Sequence, residues 1–353
     1  MSKIAATAAP MEGGGAYNRN SSFQAATNSP LIEVFVEAAE SAPLDPADAP
    51  LIVADYGSSQ GQNSLAPMSA AIAVLRRRAG PERAIWIAHN DQPSNDFVSL
   101  FQLLDASPQS YLAEDPNVFA CAIGRSFFRQ VLPAGSVALG WSTNSVHWLS
   151  RSPPAPGDAW ALAQTRRREV LAAADQIAAE DWRNFLAFRA RELRSGGRMV
   201  VTQLALGEQG PAALPTPVQN APRVRDLMLA QGVITAEECA RILAPMVYRT
   251  RAELANPFAK DGVYADLQLE SLVVAPAPDP FWTEYEIARD AEVLGRKQAT
   301  FARVAAGPSL ASALAPDKRP RFLDAYEAIL GKLLAEQPAP LGFYFARLVF
   351  SKK

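Results

Sequence analysis

The sequence predicts an α/β fold in which a mostly parallel, doubly wound sheet carries helices on both faces. Short apolar runs typical of buried strands alternate with segments whose apolar residues recur at helical spacing, which is the pattern of successive β-α-β units. Polar or glycine-containing loops follow the strand-like runs. In such sheets ligands bind beyond the carboxyl ends of the strands, so we expect functional residues just after each strand.

The elements of the first half follow one another regularly. We predict a strand at 51–55, a helix at 64–78, strands at 84–88, 118–123 and 137–141, a helix at 180–194, and a turn and strand in GGRMVVTQLAL. The proline-rich segments 211–222 and 276–280 are expected to be loops between helices, and residues 284–304 have a helical pattern. LGFYFARLVFSKK alternates like a terminal strand that returns to the sheet.

Composition excludes several classes of function. The 353 residues are 49% hydrophobic and 20% charged, which is enough apolar material for a large core and argues against disorder. The net charge of -2 gives no electrostatic support for a nucleic-acid partner. No apolar run approaches the roughly 18 to 20 residues of a membrane helix, and the N-terminus does not resemble a secretory signal. Cys121 and Cys239 are far apart and lack CxxC spacing, so we expect a reduced, cytoplasmic protein.

The loop after the first strand, in LIVADYGSSQGQNSL, combines an acid with two glycines. It has neither the G-x-G-x-x-G of a dinucleotide site nor the Gly-Lys-Ser/Thr ending of a P-loop. Asp55 precedes Gly57 and Gly61, and the loop contains no lysine. These features favour a partly cationic ligand without a phosphate.

Residues after the next strands suit a nucleoside. Asp91 is placed to hydrogen-bond a ribose diol, which is the role of an acid at this point in dinucleotide folds. Phe127, beside the hydroxyl of Ser126, can pack against a purine. S-adenosylmethionine is a nucleoside without a phosphate, and an acid-lined site suits its sulfonium and ammonium groups.

Six segments, in this order, resemble the SABATH family of methyltransferases: MEGGGAYNRNSSFQ, ADYGSSQGQN, HNDQPSNDF, GRSFFRQVLP, STNSVHWLS and FRARELRSGGRMVVT. Members methylate the carboxyl groups of salicylate, benzoate, jasmonate or indole-acetate, or ring nitrogens of xanthines. The resemblance covers most of the chain. It implies a Rossmann-like methyltransferase core, a largely helical cap over the active site, S-adenosylmethionine as cofactor and, as is common in the family, a homodimer.

On this basis we predict a core of residues 11–210 and 262–353. The cap is predicted from 211–261 and parts of 280–335, and residues 1–10 are expected to be disordered. The resemblance implies cofactor contacts for Tyr17, Ser21, Asp55, Gly57, Ser58, Asn63, Asp91, Gln92, Ser126 and Phe127. It implies substrate contacts for Gln24, Asn144, His147 and Trp148, with Gln24 and Trp148 positioning the substrate carboxylate.

The chain departs from the family pattern at several positions. Ser58 replaces a frequent cysteine, Gln92 a usual leucine, and Asn144 the tyrosine of most plant members; Glu12 stands where a lysine sometimes precedes the first glycines. The segment after Trp148 lacks the asparagine that supplies a magnesium ligand in some relatives. The two histidines of the chain are far apart and have no Cys/His cluster beside them, so no metal is expected.

Methylation of a carboxylate needs no general acid or base. A carboxyl group with a pKa near about 4 is already ionised at neutral pH. The protein has to align the carboxylate, the methyl group and the sulfur, and such positioning can supply roughly 7 to 11 kcal/mol. The amide of Gln24 and the indole N–H of Trp148 are neutral donors suited to this task.

Simpler structural explanations stay open for each residue. Trp148 can be a core aromatic, Asp55 and Asp91 can be helix caps, and Gln24 can face solvent. His147 is expected in the pocket wall, with a general-base role as the alternative. The sequence thus predicts an S-adenosylmethionine-dependent O-methyltransferase that converts a small apolar or aromatic acid to its methyl ester. An N-methyltransferase for a heteroaromatic molecule and a non-catalytic ligand-binding relative are the alternatives.

Overall fold

The computed structural model describes residues 8–46, 49–210 and 213–353. Its strands are β1 (Leu51–Tyr56), β2 (Ile85–Asp91), β3 (Val118–Gly124), β4 (Val137–Ser142), β5 (Leu193–Ala205), β6 (Val263–Tyr264), β7 (Leu267–Pro276) and β8 (Tyr344–Lys352). Within the described residues they form one sheet in the order β3-β2-β1-β4-β5-β8-β7-β6. The first five strands pair in parallel, and β8 lies antiparallel between β5 and β7.

The helices of the described chain are α1 (Ala16–Arg19), α2 (Ser22–Ser41), α3 (Leu65–Ala79), α4 (Phe97–Ala106), α5 (Arg168–Glu192), α6 (Thr216–Ala230), α7 (Ala236–Cys239), α8 (Arg251–Ala255), α9 (Pro280–Ala288), α10 (Ala291–Ala311) and α11 (Arg319–Glu336). None of them is long and apolar enough to cross a membrane.

Both faces of the sheet are covered, as the doubly wound prediction requires. On one face, Phe35 of α2 and Met68 of α3 pack with Trp141 of β4. On the other, Trp182 of α5 packs with Phe350 of β8. The predicted fold class is confirmed, and the end of the chain does return to the sheet, as β8.

A third apolar cluster belongs to the helices outside the sheet. It joins Val224 and Met228 of α6 to α10 and α11, and includes Trp160 and Tyr326. These helices fall within the segments predicted to form the cap. The division of the chain into core and cap stays a prediction.

Two predicted helices differ from the structure. The helix predicted at 180–194 begins earlier, at Arg168, and ends at Glu192, after which Leu193 starts β5 without a connecting loop. The helical segment predicted at 284–304 is divided between α9 and α10. Arg289 has a left-handed φ of 55°, and the side chain of Asp290 caps α10 by accepting the backbone N–H of Val293.

The N-terminal segment is attached to the rest of the protein. Residues 1–7 lie outside the described part of the chain, whereas residues 8–10, which were expected to be disordered, are described. The backbone N–H of Ala9 donates to Ser309 Oγ of α10 at 3.2 Å. The Glu12 carboxylate pairs with Arg303 of α10 at 3.1 Å. Ala9 and Glu12 therefore lie against α10, a helix of the predicted cap.

Candidate active site

A cavity of about 460 Å³ lies beyond the carboxyl ends of β1, β2, β3 and β4. Its walls include ten of the predicted site residues: Tyr17, Gln24, Gly57, Asp91, Gln92, Ser126, Phe127, Asn144, His147 and Trp148. Residues from α2, from four strand ends and from the N-terminal segment thus meet at one cavity. The expectation that functional residues follow the strands agrees with this placement.

Gly57 brings β1 close to the connection after β4. Its φ is 90°, and a Cβ atom built there would lie 2.0 Å from Ser145 Oγ. The backbone N–H of Gly57 donates to the Asn90 carbonyl oxygen at 2.7 Å. Only a residue without a side chain fits at this point, so the backbone itself forms part of the cavity wall.

Asp91 presents a fixed carboxylate at the end of β2. Its Oδ2 accepts the backbone N–H of Ser59 at 2.8 Å, and its Oδ1 accepts that of Gln92 at 2.7 Å. Burial raises the pKa of Asp91 to about 6, although the two backbone hydrogen bonds act in the opposite direction. Each oxygen retains lone pairs, so the carboxylate can accept further hydrogen bonds from the hydroxyl groups of a ligand.

Phe127 forms an aromatic section of the same wall. Its ring meets Phe128 edge-on at 4.7 Å between centroids and Phe185 of α5 at 5.9 Å and 90°. Beside it, Ser126 Oγ accepts the backbone N–H of Phe128 at 3.3 Å. An aromatic ring held by two others is a suitable surface for a purine.

Four predicted cofactor residues do not line the cavity: Ser21, Asp55, Ser58 and Asn63. Asp55 Oδ2 accepts a hydrogen bond from Ser64 Oγ at 2.5 Å and lies 2.9 Å from His89 Nδ1. The Ser58 hydroxyl and the Asn63 amide nitrogen are buried without a hydrogen-bond partner among the described residues. Ser21 is buried at the start of α2. The contacts of these four residues with a cofactor stay predictions.

Gln24 and Trp148 present neutral polar groups to the same cavity. Gln24 is only 5% exposed and does not face solvent, and its Oε1 lacks a partner within the described chain. Trp148 is half-buried, and a bridge to Met246 fixes its backbone. The Tyr17 hydroxyl lies beside the amides of Gln24 and Asn63, and burial raises its pKa, so it stays a neutral donor.

His147 is a buried, neutral wall of the cavity. Burial and the positive charge of Arg249 lower its pKa to about 3. The Arg249 guanidinium donates to the Val146 carbonyl oxygen at 3.0 Å and to Gln203 Oε1 at 2.6 Å. With so low a pKa, His147 is a weak base, so the structure gives little support to a general-base role.

Asn144, at the position where most plant members have a tyrosine, has an unusual backbone conformation. Its φ is 54°, a left-handed conformation that asparagine adopts more readily than most residues. Its amide donates to Asn28 Oδ1 of α2 at 3.2 Å. The side chain therefore joins the connection after β4 to α2, at the edge of the cavity.

Sequence reasoning named none of the residues that form the apolar part of the cavity. These residues come from the second half of the chain or from the connection after β4, and include Trp160, Leu204, Met246, Tyr248, Phe301, Leu310, Tyr326 and Phe343. The small residues Ala302, Ala305 and Ala306 of α10 also line the cavity. The recurrence of these alanines at helical spacing was the available signal in the sequence that this face of α10 leaves space for a ligand.

Comparisons with known proteins identify the family of the chain. The sequence profile of the family described as SAM dependent carboxyl methyltransferase matches residues 7–348. Methyltransferase FUS9 of Gibberella fujikuroi is 28% identical over 248 residues, which cover 69% of this chain and 66%, or about two thirds, of that protein. Indole-3-acetate O-methyltransferase 1 of Arabidopsis thaliana is 27% identical over 324 residues, covering 84% of this chain and 82% of the relative.

A solved structure shows the same fold. Loganic acid methyltransferase with S-adenosylhomocysteine superposes with a TM-score of 0.78 at 20% identity, covering 98% of this chain and 99% of that one. The resemblance seen in six sequence segments is thereby confirmed over nearly the whole chain. The protein belongs to the family of S-adenosylmethionine-dependent carboxyl methyltransferases.

Proposed function

We propose that this protein transfers the methyl group of S-adenosylmethionine to the carboxylate of a small apolar or aromatic acid. The observation that carries the proposal is the meeting of two sets of residues in one cavity. Asp91 and Phe127 offer a wall for a nucleoside, and Gln24 and Trp148 offer neutral donors for an acid.

The cofactor side fits S-adenosylmethionine, which supplies a methyl group on a positively charged sulfur. The Asp91 carboxylate would accept hydrogen bonds from the ribose hydroxyls, and Phe127 would pack against adenine. Gly57 lines the cavity, and its missing side chain leaves room for Ser145. The Ser58 hydroxyl and the Asn63 amide nitrogen, both buried without a hydrogen-bond partner within the described chain, are further candidates for polar contacts.

The acceptor side suits a group that is already negatively charged. An ordinary carboxylic acid is ionised at neutral pH and can attack the methyl group without losing a proton to the protein. The amide of Gln24 and the indole N–H of Trp148 would donate to the carboxylate oxygens. A C–O bond would form as the methyl–sulfur bond breaks, giving a neutral ester and a neutral thioether, and the protein would contribute chiefly alignment.

The walls also restrict the charge of the acceptor. The described residues that line the cavity include no lysine or arginine, and Asp91 is their one carboxylate. A second anionic group on the acid would therefore be buried without a cation, which is costly. We infer that the acceptor carries one carboxylate and an otherwise uncharged, largely apolar body.

Methyl transfer from radiolabelled S-adenosylmethionine to a panel of acids and heteroaromatic molecules tests this function. The panel should pair each monocarboxylic acid with a dicarboxylic acid of similar size. We expect label on the monocarboxylic acids that mild base releases as methanol, because an ester is cleaved by base. Base-stable label would mean N-methylation, and binding of S-adenosylhomocysteine without transfer to any acid would favour a non-catalytic relative.

A homodimer and a cytoplasmic location complete the proposal. The dimer is supported by its frequency among family members. The location is supported by Cys121 and Cys239, which are both free thiols in the structure. Light scattering of the purified protein would give a mass of two chains if the dimer forms, and of one chain if it does not.

A further inference from the structure

A buried ion pair next to the segment that carries Phe127 has no part in the reaction described so far. Arg189 and Glu192 lie in the last turn of α5, both 0% exposed, and Arg189 Nη2 donates to Glu192 Oε1 at 2.7 Å. Neither residue lines the cavity. Both belong to FRARELRSGGRMVVT, a segment to which the proposed chemistry gives no role.

Arg189 is bonded to the connection that carries Phe127. Parallel strands are usually joined through a helix, but residues 125–136 between β3 and β4 are described and contain none. The backbone groups of this connection therefore need other partners. Arg189 donates to the Phe127 carbonyl oxygen from Nη1 at 2.8 Å and to that of Arg129 from Nη2 at 2.9 Å.

Glu192 holds the next part of the same connection. Its Oε1 accepts the backbone N–H of Val131 at 2.5 Å and that of Leu132 at 3.1 Å. Its Oε2 accepts the Tyr56 hydroxyl at 2.7 Å, and the Arg189 guanidinium lies 4.1 Å over the Tyr56 ring. Because Tyr56 directly precedes Gly57, the Arg189–Glu192 pair connects the segment that carries Gly57 to the segment that carries Phe127.

We propose that Arg189 and Glu192 are positioning residues that fix the adenine side of the cofactor site. A buried ion pair is poor support for stability as such, because apolar residues of similar volume often stabilise a protein equally well. A planar guanidinium that reaches two carbonyl oxygens sets the position of a loop more tightly than a single donor does. The inference rests on the proposed function in one respect, that Phe127 packs against adenine.

Arg189→Lys is the test variant, because lysine keeps the charge and loses the forked geometry. Arg76→Lys is the matched control. Arg76 of α3 also pairs with a carboxylate, that of Asp115 at 2.8 Å, and donates to backbone carbonyl oxygens, including that of Gly80 at 2.8 Å. It does not line the cavity. The two variants should therefore lose similar hydrogen bonds. Those of Arg189 lie at the connection that carries Phe127, and those of Arg76 lie away from the cavity.

The measurements are the Kd for S-adenosylhomocysteine, the KM values for S-adenosylmethionine and for the acid, kcat and Tm. We expect Arg189→Lys to raise the Kd and the cofactor KM by about tenfold, because a displaced connection moves the Phe127 ring away from the adenine that it packs against. The KM for the acid and kcat at saturating cofactor should change little. Arg76→Lys should lower Tm without changing the Kd.

Tyr56→Phe provides a second variant if Arg189→Lys does not fold, because it removes one hydrogen bond of Glu192 and keeps the ring. We expect a smaller increase of the same Kd. Wild-type affinity for S-adenosylhomocysteine in the folded variant, or a loss no greater than that of Arg76→Lys, would overturn the positioning role. A wild-type protein that does not bind S-adenosylhomocysteine would instead overturn the proposed function.

Discussion

Replacement of Trp148 by phenylalanine would remove one donor from the acceptor side of the cavity. The backbone N–H of Trp148 bonds to the Ser145 carbonyl oxygen at 3.1 Å and is unaffected. The indole N–H makes no hydrogen bond to other described residues, so its loss leaves no partner unsatisfied in the free protein. The phenyl ring keeps much of the contact with His147, whose centroid lies 5.8 Å from that of the indole.

The magnitude follows from the charge of the acceptor. A hydrogen bond to a charged group contributes about 1.5 to 3 kcal/mol. At about 1.4 kcal/mol for each factor of ten, Trp148→Phe should lower kcat/KM for the acid by roughly 10- to 150-fold. The affinity for S-adenosylhomocysteine should be unchanged, because Trp148 is assigned to the acid and not to the nucleoside.

Steady-state kinetics with varied acid, together with calorimetry for S-adenosylhomocysteine, measure both quantities. Trp282→Phe is a suitable control, since Trp282 of α9 donates from Nε1 to Glu286 at 3.1 Å and does not line the cavity. An unchanged kcat/KM in Trp148→Phe would refute the carboxylate contact. Equal losses of acid turnover and cofactor affinity would show that Trp148 is a structural residue instead.

Further predictions concern Asp91, His147 and Gly57. Asp91→Asn should weaken binding of S-adenosylhomocysteine, because an amide has only one acceptor oxygen. A wild-type affinity by calorimetry would show that Asp91 does not bind the ribose. The proposed ribose contact needs the ionised form of Asp91, and burial raises the pKa of Asp91 to about 6. The affinity for S-adenosylhomocysteine should therefore fall as pH drops below about 6, and a flat profile would contradict this. His147→Gln should leave the pH dependence of kcat unchanged over about pH 5 to 8, because the pKa of His147 is lowered to about 3; loss of an activity limb in that range would indicate a general base. Gly57→Ala should lower Tm and raise the cofactor KM, since the new Cβ would lie 2.0 Å from Ser145 Oγ, and normal values of both would show that the loop can shift.

The strands near the site were predictable because they are short and almost continuously apolar, as buried parallel strands are. β1 and β4 lie close to their predicted bounds. The helix predicted at 180–194 leaves out the first turns of α5, which begins at Arg168. The break between α9 and α10 depends on the left-handed conformation of Arg289, which no residue preference indicates. Asp290, which caps α10, was a usable signal for the start of that helix.

The cavity was only partly predictable for a different reason. Residues that follow strands share one edge of the sheet, so Gly57, Asp91 and Phe127 could be grouped from the fold alone. Met246 and Tyr248 enter the site through pairing of distant segments, as in the bridge between Met246 and Trp148. No spacing in the sequence shows such pairing. The apolar wall of the cavity therefore became visible only in the structure.

The most direct test of the account is a crystal structure with S-adenosylhomocysteine and a monocarboxylic acid that the protein methylates. We predict the acid carboxylate within about 3.2 Å of both the Gln24 amide and Trp148 Nε1, facing the sulfur, with Asp91 on the ribose. A carboxylate held elsewhere in the cavity, with Gln24 and Trp148 free of it, would contradict the proposed mechanism.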